Sequence, residues 1–263
     1  KLKNAVQERL DALQQATSTA STSSEGFDWS RPTGAVPLGT RHPLSIVRRE
    51  ILDIFSRIGF TVADGPEIED DWHNFTALNI DENHPARASH DTFYLDNNLL
   101  LRTHTSPVQI RYMKQHKPPF RFVAPGRVYR ADYDATHTPM FHQIEGMVID
   151  KNINFAHLKG FLIEFIQCFF EKTDIDLLFR PSFFPFTEPS AEVDIYTKEF
   201  GKPLEVLGCG MVHPQVFENV GYDPEVWSGW AFGFGIERIA MLCYGITDIR
   251  LLYENDIRFL KQF

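Results

Sequence analysis

The sequence predicts an α+β domain, a largely antiparallel sheet flanked by helices. Strand-like segments follow one another at 120–130, 141–149, 177–180, 191–196, 204–211 and 230–234. Longer helical patterns stand only before, between and after them, at 43–58, 154–172 and 237–244. Parallel strands would need a crossover element between each pair, so few helices favour antiparallel pairing. The 263 residues contain no internal repeat, which sets aside solenoids and arrays.

In chain order, Val6, Leu10 and Leu13 fall at helical spacing within 1–16, which reads as the last turns of a longer helix. Residues 17–24 are nearly all Ser and Thr, and 26–40 carry Pro32, Pro37 and three glycines, so 17–40 reads as a linker. The span 41–263 reads as one domain. There Val47, Ile51, Ile54, Phe55 and Ile58 share a helical face, with Pro43 in the first turn and Gly59 as the stop. Short strands are expected at 60–62 and 67–69, around Gly65-Pro66. After a polar loop at 81–90, strands at 92–95 and 99–104 are expected to flank a turn at 96–98. Ser106 is expected to cap a helix reaching about Gln115, with Pro107 at its first position. Beyond the 120–149 hairpin, Leu158, Phe161, Leu162, Phe165 and Phe169 line one face of a helix and read as core. A short helix is expected from Pro214, and the strand 230–234 passes directly into the last helix.

The formal net charge of −9 argues against a domain that grips a long phosphate backbone unaided, since such proteins are usually basic. Three widely spaced cysteines provide neither a disulfide framework nor a four-thiolate zinc site, and fit a reducing compartment. No apolar run reaches membrane-spanning length and no signal peptide opens the chain, so a cytoplasmic protein without membrane attachment is expected.

Four segments carry candidate chemistry. In the hairpin, alternation places Phe141, Gln143 and Glu145 on one side, with Arg130 on the partner strand. The set reads either as an exposed Arg–Glu hairpin or as a site where Arg130 meets an anion, Phe141 a flat ring, and Gln143 with Glu145 an ammonium. In Phe232-Gly-Phe-Gly-Ile-Glu-Arg238, two glycines stand where a strand becomes a helix. Arg238 then falls in the first helical turn, where the dipole disfavours a cation unless an anion is shared. A surface ion pair is the plainer reading. In Ser182-Phe-Phe-Pro-Phe-Thr-Glu-Pro189, Phe184 and Phe186 point the same way on an extended chain held out of the ladder by its prolines. They would clamp a third aromatic ring or simply fill core. Last, alternation in 102–106 puts Arg102, His104 and Ser106 on one side.

Together these segments resemble the class II aminoacyl-tRNA synthetases. Pro43–Glu69 is similar to motif 1, the Tyr129-Arg130 hairpin to motif 2, and Gly233–Arg238 to motif 3. The strings T-H-T-S at 103–106, F-H-Q-I-E-G at 141–146, F-P-F-T-E-P at 184–189 and G-C-G-M-V-H-P at 208–214 resemble, more narrowly, the bacterial phenylalanyl-tRNA synthetase α subunits. The resemblance runs from about His42 to Phe263. It implies an ATP-dependent ligase that adenylates phenylalanine and passes it to tRNA(Phe), paired with a β subunit as α2β2. It implies that Arg130 holds the α-phosphate and Arg238 the β/γ end, that Phe141 stacks on adenine, and that Asp132 and Glu237 belong to the ATP site. His104, Ser106, Gln143 and Glu145 would receive the amino acid's polar groups, Phe184 and Phe186 its ring, and Ala231 would form the floor. Glu188 would ligate magnesium, and 1–16 would be the end of a helical arm that helps to bind tRNA. Asp132 stands where the class motif usually has Glu. No role falls to His137, and His142 reads as structural. The rivals are a class II ligase for another amino acid and a non-catalytic paralogue.

Overall fold

The computed structural model describes residues 2–20, 39–88, 91–173, 175–196 and 203–263, with only the backbone described at 17–20. The chain divides into two compact units, Lys1–Gly39 and Thr40–Phe263. In the first, helix α1 spans Leu2–Ala20 and so continues past Ala16 into the Ser/Thr-rich stretch. Extending a formed helix is far easier than nucleating one, so weak helix formers are carried along at its end. The rest of the expected linker, 21–38, lies outside the described residues.

The second unit begins with α2, Pro43–Arg57, whose start is fixed by the His42 ring accepting from the Leu44 N–H and by Pro43 in the first turn. It continues through β1 (Thr61–Val62), β2 (Ile68–Asp70), α3 (Asp71–Asn74), β3 (Leu99–Leu101) and α4 (Ser106–Gln115). Then come β4 (Phe120–Tyr129), β5 (Met140–Asp150), α5 (Phe155–Phe170), β6 (Asp176–Phe184), β7 (Thr187–Tyr196) and β8 (Leu204–Val212). Helix α6 (Pro214–Val220), β9 (Ser228–Gly235), α7 (Ile236–Tyr244) and α8 (Ile257–Leu260) complete it. Seven strands form one sheet in the order β1-β4-β5-β9-β8-β7-β6, antiparallel except for the β1–β4 pair, and β2 and β3 form a separate ribbon.

The alternation of β9 explains why one sheet face carries an aromatic core while the other has room for a cavity beside a second apolar cluster. Trp230, Phe232 and Phe234 join Phe55, Phe161 and Phe165 of α2 and α5 in a continuous aromatic core. Phe55 lies 4.7 Å from Phe165 and 5.6 Å from Phe232, centroid to centroid. Ala231, Gly233 and Gly235 occupy the opposite face, where little side-chain volume stands above the strand. Ile144 of β5 likewise faces the helices, while Gln143 and Glu145 border the cavity.

Three local expectations are corrected. Of the segment 92–95, only Tyr94 bridges to Leu100, and the following strand stops at Leu101. It stops because Thr103–Thr105 bend into α4, so Arg102 and His104 do not share a face. The Phe184–Pro189 segment is also not an extended wall outside the ladder. It is the tip of the β6–β7 hairpin, and β7 is interior with a register shift between Thr187 and Ser190. That shift accommodates Pro189, which has no N–H to donate to a ladder.

Candidate active site

A cavity of about 740 Å³ opens on the sheet face opposite the aromatic core and is continuous in its lining with a second of about 300 Å³. Arg130, Asp132, Gln143, Glu205, Gly208 and Gly233 belong to both. The larger holds His104, Ser106, Glu145, Phe184, Phe186 and Ala231. The smaller holds Phe141, Glu237 and Arg238. Of the candidate residues read from the sequence, the structure gathers all but Arg102 and Glu188 into one cleft.

Glu145 is the best-anchored polar group of the larger cavity. Its carboxylate is buried and accepts from the Thr105 backbone N–H at 3.2 Å, the Ser106 hydroxyl at 2.6 Å and Gln109 Nε2 at 2.8 Å. Burial pushes its pKa up, against the pull of these donors and of the Arg130 charge. The geometry corrects the role expected of Ser106. Thr105 is the N-cap of α4, and no cap side chain satisfies the helix; Glu145 from β5 does so instead. A carboxylate there is also favoured by the helix dipole. Gly233 makes the approach possible, because a Cβ at that position would lie 2.9 Å from Glu145 Cγ. Gln109 was not read from the sequence; its only signal was the i, i+3 spacing from Ser106 on the same helix.

Two neighbouring groups keep unspent hydrogen-bonding capacity. Gln143 Oε1 and both ring nitrogens of His104 are buried without a partner. Burial, followed by the Arg130 and Arg102 charges, lowers the His104 pKa to about 3, so its imidazole is neutral. Unpaired buried polar atoms are costly, and their concentration at one cavity wall marks a place where a polar ligand would complete them. Arg102, by contrast, is turned away. Its guanidinium donates to the carbonyls of Arg127 at 2.8 Å, Gly65 at 3.0 Å and Pro66 at 3.2 Å, tying the segment before β2 to β4.

The apolar end is built by the hairpin tip. Phe184 and Phe186 lie nearly parallel, 5.9 Å between centroids and 11° between planes. A third ring sandwiched face to face between them would need about 7 Å, two contact distances, so the pair can meet one only as a wall or edge to face. Gly208 gives Phe184 its place, since a Cβ there would meet the ring at 2.9 Å. Asn79 Nδ2 donates to the Pro185 carbonyl at 2.8 Å and fixes the tip from outside. His104 closes the opposite side, 6.3 Å from Phe186 between ring centroids.

In the smaller cavity the Arg130 guanidinium lies over the Phe141 ring, 5.2 Å from its centroid, and its Nε donates to the Thr103 carbonyl at 3.0 Å. Arg238 is exposed and has no ion-pair partner among the described residues, which removes the surface-pair reading. Glu237 lines this cavity, but its carboxylate is buried and already accepts from His142 and Tyr253. Asp132 is exposed and faces both cavities, 3.7 Å from His137 Nδ1. Glu188 points to solvent outside the cleft, 3.4 Å from His213 Nε2, while its neighbour Thr187 lines the larger cavity. Glu205, which the sequence reading passed over, places an exposed carboxylate where the cavities join.

An antiparallel sheet with this double cleft is the core of a class II tRNA synthetase, and the family described as "tRNA synthetases class II core domain (F)" matches residues 26–263. Two solved structures of pyrrolysyl-tRNA synthetase from Desulfitobacterium hafniense share the fold. One has a TM-score of 0.63 at 18% identity, covering 82% of this chain and 75% of that one. The other has a TM-score of 0.61 at 19% identity, covering 81% and 73%. Sequence relatives narrow the class. The phenylalanine–tRNA ligase α subunit of Aliivibrio fischeri is 59% identical over 256 residues, 97% of this chain and 78% of that protein. Its counterparts in Vibrio cholerae and Cronobacter sakazakii are 58% and 59% identical over 262 residues, covering all of this chain and 80% of theirs. The chain belongs to the family of phenylalanine–tRNA ligase α subunits.

Proposed function

We propose that this chain is the subunit that activates phenylalanine with ATP and transfers it to tRNA(Phe), with 41–263 as the catalytic domain, helix α1 through Ala20 as the end of an arm, and the linker following it. The observation that carries this reading is the pairing of a Phe184–Phe186 wall with unpartnered acceptor and imidazole atoms of Gln143 and His104. An amino acid with an aromatic side chain satisfies both at once. Its ammonium meets Gln143 Oε1 and the Glu145 carboxylate, and its carboxylate meets the neutral His104 N–H. Its ring lies on the phenylalanine wall above Ala231.

The substrate carboxylate is thereby directed towards the smaller cavity. A carboxylate oxygen bonds to the α-phosphorus of ATP and pyrophosphate leaves; a ribose hydroxyl of tRNA then attacks the carbonyl and AMP leaves. The reaction needs no nucleophilic side chain, only positioning and charge compensation. Arg130 sits where the cavities join and holds the α-phosphate, while the unpaired Arg238 takes the β/γ end. Phe141 offers adenine the ring face that Arg130 does not cover. Magnesium bound with ATP offsets phosphate charge. The resemblance assigns the ion to Glu188, whose carboxylate lies off the cleft beside His213, while Glu205 and Asp132 place further carboxylates at the junction, next to Arg180 and His137. The name shared by the relatives implies a β partner, and we assign the working enzyme as an α2β2 assembly.

Amino-acid-dependent ATP–pyrophosphate exchange, run with all twenty amino acids in the presence and absence of the β subunit, tests the reading. Exchange with phenylalanine alone is expected. Exchange with a different amino acid would place the chain's specificity elsewhere, and none with any would make it a non-catalytic paralogue.

A further inference from the structure

We infer that Tyr253 and His142 are positioning residues for the ATP half of the site, acting through the buried carboxylate of Glu237. The inference rests on the synthetase reading above and starts from a gap in the sheet. Strand β9 pairs with β5 only as far as Gln143 opposite Gly235, after which the chain turns into α7. The next residue outward on β5, His142, therefore loses a ladder partner on that side, though it still pairs with Arg127 of β4 on the other. Its backbone N–H donates instead to both oxygens of Glu237, at 2.9 and 3.0 Å. Its ring Nδ1 lies 2.8 Å from the same carboxylate. The side chain of Glu237 thus continues the ladder for one residue beyond the end of the strand.

What the carboxylate joins are the two walls of the smaller cavity. His142 is flanked by Phe141 and Gln143, and Glu237 by Arg238 in the first turn of α7. Without the carboxylate, the end of β5 that bears Phe141 would be held from the β4 side alone. The spacing of Phe141 and Arg238 is then coupled to the orientation of this carboxylate, which must not rotate. Tyr253, from the segment after α7, supplies the lock: its hydroxyl donates to the Glu237 oxygen that also receives His142. Burial and the adjacent negative charge raise the Tyr253 pKa, so the hydroxyl keeps the proton it donates. A pocket of about 240 Å³, distinct from the two cavities of the cleft, borders this arrangement and is lined by His42, His142 and Tyr253. Neither Tyr253 nor His142 lines either cavity of the cleft, so any effect they exert on substrate is transmitted.

The test is Tyr253→Phe, which removes one oxygen and little volume, in the assembled enzyme, by phenylalanine-dependent ATP–pyrophosphate exchange. The KM for ATP should rise at least fivefold while the KM for phenylalanine stays within twofold, because the ladder from Gln143 inward is paired on both sides. His142→Asn, which retains the backbone N–H but shortens the ring contact, should move the same constant in the same direction; if Tyr253→Phe fails to assemble, it decides the matter alone. Loss of thermal stability with both KM values unchanged, or an equal rise in both, overturns the inference. Absence of phenylalanine-dependent exchange in the parent enzyme would instead overturn the synthetase reading, and is seen before any variant is made.

Discussion

Single residues in this cleft are readable by what they lack. Arg238 carries a charge at the wrong end of a helix and no ion pair among the described residues, so its removal should leave the fold intact while stripping the β/γ-phosphate contact. Arg238→Ala should lower the exchange rate by about a hundredfold or more, the usual cost of losing a preorganised contact to developing charge. A rate within threefold of the parent, at unchanged melting temperature, would refute that assignment. His104 makes a different prediction, about stability. Its folded pKa is depressed to about 3, so the unfolded chain binds a proton more readily below the ordinary histidine value near 6.5. Stability from this group is therefore complete above about pH 6.5 and is lost as pH falls towards 3. Between pH 7.5 and 5.5 the parent should lose about 1 kcal/mol more unfolding free energy than His104→Leu, a difference that denaturant titration at the two pH values measures.

The elements bring these residues together by borrowing groups from one another. Glu145 of β5 completes the start of α4, Glu237 of α7 continues β5, and Asn79 pins the tip of the β6–β7 hairpin. The last is the easiest to isolate. Asn79 adopts a left-handed conformation, φ 60°, so Asn79→Gly keeps the backbone and removes only the amide that holds Pro185 between Phe184 and Phe186. Losing one such hydrogen bond should raise the KM for phenylalanine roughly two- to tenfold and leave that for ATP unchanged. Asn79→Asp, which turns the donor into an acceptor facing a carbonyl, should do at least as much. Equal KM values in parent and variants would show that the hairpin tip holds itself.

For the molecule as a whole, the balance of charge sets what the chain does alone. With a formal net charge of −9, it presents no bulk attraction to a polyanion, and the cations of the cleft are too few to change that sign. The isolated chain should bind tRNA more weakly than about 100 µM at physiological salt, beyond the usual non-specific range, whereas the assembly with β should bind far more tightly. Filter binding of the two preparations distinguishes these cases, and tight binding by the chain alone would show that a local patch suffices. No helix among the described residues is long and apolar enough to cross a membrane.

Much of this was legible in the chain itself. The strands of the central hairpin, the helix from Pro43 and the strand-to-helix turn at Gly235 follow from local patterns whose periods of two and 3.6 hold over short spans. The alternation of Trp230, Phe232 and Phe234 with Ala231, Gly233 and Gly235 even foretells an aromatic face and one with room above the strand. What tertiary structure alone decided is the company each polar group keeps. Ser106 reads locally as a cap, and only the sheet brings Glu145 across to take that role. Arg102 and His104 read as neighbours on one strand, until the bend into α4 sends one into the backbone and leaves the other at the cavity. The Phe184–Pro189 segment reads as extended because proline resists a ladder; the register shift of β7 removes that conflict, and Glu188 faces solvent. The division has one physical cause. Backbone periodicity depends on residues a few positions apart, whereas a buried charge or amide takes its partner from wherever the fold delivers one, here from more than 100 residues away.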